Sequence, residues 1–136
     1  MIVLDACAVV EMVRRTQEGL ALQRLMMTDE LAISCDLVRA ETASVLRKLA
    51  RAQGLQPTQA ERYLVEALAL VDRFYPIEEL QSEAFRESIR LDHSVYDMFY
   101  FVLARRTGAT LFTVDRKLMD LCLRQDVPCL AMIDLQ

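Results

Sequence analysis

Short apolar runs and longer stretches of helical periodicity take turns along the chain. Ile2-Val3-Leu4-Asp5 is apolar up to its last residue and reads as a buried strand over residues 2–5. A helix is expected over residues 8–15. A second is expected over residues 18–27, where Leu20, Leu22, Leu25 and Met26 recur at helical spacing. Residues 31–34 form the next strand. The stretch 37–53 places Val38, Thr42, Val45, Leu46 and Leu49 on one helical face, and Gly54 stands where a left-handed cap would stop it. Pro57-Thr58-x-x-Glu61 has the form of a capping box opening a helix that runs to about residue 71. Residues 73–77 form a weaker strand, which Pro76 restricts to a short or edge position. Helices over 78–91 and from Ser94-x-x-Asp97 to Gly108 follow, then a strand over 110–114, a helix over 115–125 and a last strand over 129–132. Strands separated by helices, with no hairpin signal, predict an α/β sandwich whose sheet is mainly parallel.

Composition narrows the class. The 136 residues suit one domain, 1–136, able to bury roughly two-thirds of its unfolded surface. With 54% hydrophobic residues, 3 Gly and 3 Pro, the chain is neither disordered nor a loop-rich secreted scaffold. The charge-free run 98–104 is far short of the ~20 residues of a membrane span, and no basic leader with a cleavage site opens the chain. A soluble cytoplasmic protein that does not engage membranes is expected. Cys7, Cys35, Cys122 and Cys129 contain no C-x-x-C pair, and His93 is the single histidine, so a zinc site of ordinary spacing is not expected. Reduced thiols are the expectation.

Four acids stand where chemistry is placed in such folds. Ligands bind outside the carboxyl ends of strands in open α/β sheets. Asp5 closes the first strand, and Asp115 follows the strand 110–114. Taken singly, Asp5 also fits a strand-to-helix turn and Asp115 a helix N-cap. Asp97 is the one charge between Val95 and Ala104, on a helix apolar nearly all round. A carboxylate there is costly unless something partners it, and its neighbours His93, Ser94, Tyr100 and Phe101 include no Lys or Arg. Its bland role is a capping-box acid reaching back to Ser94. Glu41, beside Leu37, Val38, Ser44 and Val45, sits at the rim of an apolar stripe, away from Arg39, Arg47 and Arg51.

Carboxylates converge only if something positive holds them. Hard divalent cations take oxygen ligands, and Mg²⁺ works through a few carboxylates plus substrate phosphate. Net charge is −4, with 20 acids against 16 Lys and Arg. Setting Asp5, Glu41, Asp97 and Asp115 aside leaves acids and bases equal in number. The acidic excess, which argues against a general nucleic-acid coat, is then the site itself. His93 alone cannot supply both a general base and a general acid, which disfavours metal-free acid–base catalysis. It is read as a polar residue preceding a helix.

These segments together resemble the PIN-domain ribonucleases, specifically the VapC-type toxins of bacterial toxin–antitoxin pairs. Ile2-Val3-Leu4-Asp5 matches the opening strand and first acid, and the helix from Leu37 to Leu46 carries the second, Glu41. Tyr96-Asp97-Met98-Phe99-Tyr100 is similar to the third motif, and the run from Gly108 through Thr113-Val114-Asp115-Arg116-Lys117-Leu118 to the fourth. The resemblance spans essentially the whole chain. It implies a PIN-like three-layer sandwich and Mg²⁺- or Mn²⁺-dependent endonucleolytic cleavage of RNA, leaving a 5′-phosphate and a 3′-hydroxyl. Asp5, Glu41, Asp97 and Asp115 are the implied catalytic and metal-holding residues. Thr113 fits the hydroxyl expected just before the fourth acid, while Cys7 stands where the family often has a hydroxyl residue, with weaker support of Asp5 as the consequence. A homodimer and a cognate antitoxin covering the groove are also implied.

RNA phosphates would be met by Arg116 and Lys117 beside Asp115, by Arg47, Lys48 and Arg51 on one helix, and by Arg14 and Arg15. The alternative is a PIN-like domain that binds RNA or a partner protein without cutting. A signalling receiver domain fails because the late strand ends in Asp115 and no Lys follows a strand at the required place. A haloacid-dehalogenase-like phosphatase fails because Cys7 replaces its second Asp.

Overall fold

The computed structural model describes residues 1–26 and 29–130. Its elements run β1 (Ile2–Leu4), α1 (Ala6–Arg14), α2 (Gln17–Leu25), β2 (Ala32–Cys35), α3 (Leu37–Gln53), α4 (Pro57–Ala69), β3 (Arg73–Tyr75), α5 (Ile77–Arg90), α6 (Val95–Thr107), β4 (Thr110–Phe112), α7 (Arg116–Arg124) and β5 (Cys129–Leu130). The last two positions of the strand expected over 129–132, and residue 27 of the second helix, lie outside the described residues.

All described strand pairs are parallel, in the order β3-β2-β1-β4-β5. Val3 lies opposite Ile33 on one side and Leu111 on the other, and Leu4 opposite Phe112. These residues are at most 1% exposed, as expected of continuous apolar strands buried on both faces. The order sets the layers. From β1 the chain moves outward to β2 and then β3. It then returns past β1 to β4 and continues to β5. Right-handed crossovers therefore put α1–α4 on one face and α5–α7 on the other. The direction reverses between β1 and β4, and their carboxyl ends border the crevice where such sheets bind ligands.

Particular residues set the element boundaries. Gly54 and Gly108 end α3 and α6 at φ 66° and 71°, left-handed positions that cost a glycine nothing. Pro76 follows β3, and that strand is an edge. The capping box expected at Thr58 and Glu61 does not form. Pro57 is itself the first helical residue, because its fixed φ and missing N–H suit that place. Thr58 is thereby carried inside the helix, and the cap falls to Gln56, whose side chain makes no capping bond. Helix α6 is buried from Met98 through Ala104 and packs across β1, β2 and β4. Arg105 and Arg106 pair with Glu83 and Glu87, tying its far end to α5. Gly19 lets α2 lie directly on α1, since a Cβ there would come 1.9 Å from the Glu11 carbonyl oxygen. Cys7, Cys35 and Cys122 are free thiols, and among the described residues no helix is long and apolar enough to cross a membrane.

Candidate active site

Asp5 and Asp115 are each both a helix cap and a wall of the crevice. Asp5 is the N-cap of α1, its Oδ1 accepting from the Ala8 N–H at 2.8 Å. Asp115 caps α7, accepting from the Lys117 and Leu118 N–H groups at 2.9 and 3.3 Å. Strand β1 therefore delivers one acid and β4 the other, each fixed by the first turn of the helix that follows. Between them lies Thr113, fully buried, whose Oγ1 accepts from the Asp115 N–H at 3.0 Å while its hydroxyl bonds the Asp5 carboxylate. One hydroxyl thus ties the first acid to the fourth.

Glu41 and Asp97 approach from helices α3 and α6. The Tyr100 hydroxyl donates to Glu41 Oε1 at 2.7 Å, and His93 Nε2 lies 2.8 Å from Asp97 Oδ2. The box between Asp97 and Ser94 does not form, because Ser94 makes no side-chain capping bond and His93 reaches the carboxylate first. All four acids line a single cleft of about 450 Å³, together with Cys7, Ser44, Lys48, Tyr96 and Tyr100. Among the described residues none of the four is paired with a Lys or Arg.

The electrostatics record that missing counter-charge. Burial pushes the Asp5 carboxyl up to about 7. Bonds from Thr113 and Ala8 oppose the rise, and repulsion from Asp97 and Asp115 adds to it. Glu41 is raised by burial against the pull of Tyr100, with Asp97 repelling it. Asp97 is raised by burial against its His93 bond, with Asp115 repelling it. Cys7 lies in the first turn of α1, where a helix N-terminus ordinarily favours a thiolate. Burial and then the four surrounding acids push it instead up to about 12.

An oxygen-only donor set of repelling carboxylates suits a hard divalent cation such as Mg²⁺ or Mn²⁺. Among the described residues no three His, Cys, Asp or Glu side chains are drawn together tightly enough to enclose an ion by themselves. The fit therefore rests on the chemistry of the four acids and on Mg²⁺ keeping several of its waters.

The basic residues divide. Lys48 lines the cleft, whereas Arg47 and Arg51 are exposed on α3 without reaching it. Arg116 is exposed beside Asp115 but not part of the lining. The Lys117 side chain borders a neighbouring groove with His93, Asp120 and Arg124. Arg14 bonds Glu11 and Gln53, and Arg15 ends α1 in a left-handed conformation. Cys7 lines the cleft, and the Asp5 bonds described come from Ala8 and Thr113, so the position where a hydroxyl was expected is not what supports the first acid. His93 is a partner of Asp97 rather than a plain residue before a helix. Tyr100 was not anticipated as part of the site; its one clue in the sequence is a phenol in a hydrocarbon stretch, which needs a hydrogen-bond partner once buried.

Residues 2–122 match the family model for the PIN domain. The chain is 29% identical over 118 residues to Ribonuclease VapC12 of Mycobacterium tuberculosis in two strains, CDC 1551 / Oshkosh and H37Rv, covering 87% of this chain and 89% of the relative. Among solved structures, PAE2754 from Pyrobaculum aerophilum superposes with a TM-score of 0.69 at 21% identity, over 88% of this chain and 82% of that one. Mycobacterium tuberculosis VapC20, a sarcin-ricin loop cleaving toxin, superposes with a TM-score of 0.66 at 20% identity, over 89% and 95%. With the match running from the first strand through most of the last described helix, the chain belongs to the PIN domain family.

Proposed function

We propose that this protein is a metal-dependent endoribonuclease of the VapC toxin kind. Asp5, Glu41, Asp97 and Asp115 hold Mg²⁺ or Mn²⁺, and a cognate antitoxin restrains the activity. The observation that carries the reading is the convergence of four carboxylates, from the ends of β1 and β4 and from α3 and α6, on one cleft, none of them paired with a Lys or Arg among the described residues. Such an arrangement is electrostatically incomplete. The likeness to VapC12, a ribonuclease by name, supports RNA as the substrate. The family resemblance supports a cytoplasmic homodimer.

A divalent cation, when bound, supplies a water of lowered pKa and stabilises charge on a phosphodiester. The chain's own residues do the rest. The capped carboxylates of Asp5 and Asp115 are held still by backbone N–H groups, so they present oxygens without reorganising. Tyr100 and His93 orient Glu41 and Asp97. Lys48, on the rim, meets a backbone phosphate, with Arg47, Arg51, Arg116 and Lys117 adding to the longer-range field. An Arg from an antitoxin pairs naturally with the same acids.

The test is cleavage of a mixed RNA pool by purified protein with Mg²⁺, with Mn²⁺ and with EDTA, beside Asp97→Asn. Metal-dependent cutting that the variant loses is the expected result. Cutting that survives EDTA, or an unchanged rate in the folded variant, overturns the assignment. Binding of RNA with no cutting by antitoxin-free protein under either metal points to the binding-only domain.

A further inference from the structure

The four acids are held in two different ways. Asp5 and Asp115 are helix N-caps and take their bonds from backbone N–H groups. Glu41 lies in the second turn of α3 and Asp97 in the first turn of α6, and each meets one side chain instead. Glu41 has the harder task. Its side chain carries three rotatable bonds, stands on a half-exposed face of α3, and would gain entropy by swinging into water. Across the cleft stands Tyr100, 1% exposed, its ring locked in the buried face of α6. A buried phenol needs an acceptor, and Glu41 Oε1 at 2.7 Å provides it.

We propose that Tyr100 is a positioning residue for the carboxylate centre: its hydroxyl holds Glu41 in the rotamer that faces Asp5, Asp97 and Asp115, and leaves Oε2 open to a cation. The proposal rests on the metal-dependent reading of the site. A phenol suits this task better than a Lys or Arg. It orients the carboxylate as a neutral donor, whereas an ammonium or guanidinium would cancel the negative charge that a cation needs. Hydrogen-bond partners standing behind metal ligands are typically worth about 10- to 100-fold in metal affinity.

The test uses the full chain and Tyr100→Phe, which keeps the ring and removes only the hydroxyl. Mn²⁺ alone is titrated calorimetrically, and the order of the Glu41 side chain is read by NMR relaxation on metal-free protein. Mn²⁺ affinity should fall about 10-fold, Glu41 should become more mobile, and RNA cleavage should recover as Mn²⁺ is raised. A variant with unchanged Mn²⁺ affinity and an unchanged Glu41, whatever its Tm, overturns the proposal, since that pattern is purely structural. If wild-type protein binds no Mn²⁺, the metal-dependent reading falls. The Glu41 measurement then still decides whether Tyr100 positions it. Should Tyr100→Phe fail to fold, the same readouts are taken on Tyr100→Met, which fills the space without a hydroxyl.

Discussion

Replacing Asp5 with Asn should make the metal-free protein more stable, and increasingly so as pH rises. The folded carboxyl sits at about 7, against about 3.9 in an unfolded chain. Because the folded value is the higher one, the native state binds more protons between these two values. Native stability is therefore lost as pH climbs from about 4 to about 7 and is not regained above. At about 1.36 kcal/mol per pKa unit, the full penalty approaches about 4 kcal/mol, of which about 2.5 falls between pH 5 and pH 8. Asn caps helices as well as Asp, so the bond from the Ala8 N–H survives. Any cost of disturbing the Thr113 hydroxyl is the same at both pH values and cancels from the comparison. For 136 residues at about 2.1 cal/mol/K each, about 2.5 kcal/mol corresponds to roughly 9 °C in Tm. The assay is thermal unfolding of both proteins in EDTA at pH 5 and pH 8, and then with Mg²⁺ added. The Tm advantage of Asp5→Asn should widen by roughly 9 °C between the two pH values, and Mg²⁺ should narrow it at pH 8 by stabilising only the wild type. An advantage that does not change with pH would refute the claim that Asp5 carries an uncompensated buried charge.

Other changes should be as specific. Gly19→Ala forces a methyl group against the Glu11 carbonyl oxygen, so denaturant unfolding should show a loss of about 3 kcal/mol; a loss below about 0.5 would mean that α1 and α2 part easily. Cys7 should resist iodoacetamide at pH 8, alkylating roughly a thousand-fold more slowly than a free thiol when followed by peptide mass spectrometry, because its thiolate is suppressed. Lys48→Ala should weaken RNA binding about equally across sequences and flatten the salt dependence by about one phosphate contact, read as the slope of log affinity against log salt. Asp97→Asn should lower cleavage at least about 100-fold while its circular dichroism stays native, because the change removes repulsion from a half-buried acid.

Much of this architecture is legible in the chain itself. The run Ile2-Val3-Leu4, the apolar block from Met98 to Ala104 and the stops at Gly54 and Gly108 are local signals with local physical causes, and each element they announce is present. The four acids stand out for the same reason: a charge in an apolar context is visible wherever it occurs. What local pattern misjudged were competitions settled one residue away, as when Pro57 took the first helical place from Thr58, or His93 took Asp97 from Ser94. Pairings across the fold lay further out of reach. Tyr100 meets Glu41 over 59 positions of chain, and Thr113 meets Asp5 from just past the end of β4, because the order β3-β2-β1-β4-β5 sets β1 beside β4 and lays α6 across both. Periodicity shows which face of an element is buried; only packing decides which buried face it meets, and so which side chains aim the acids.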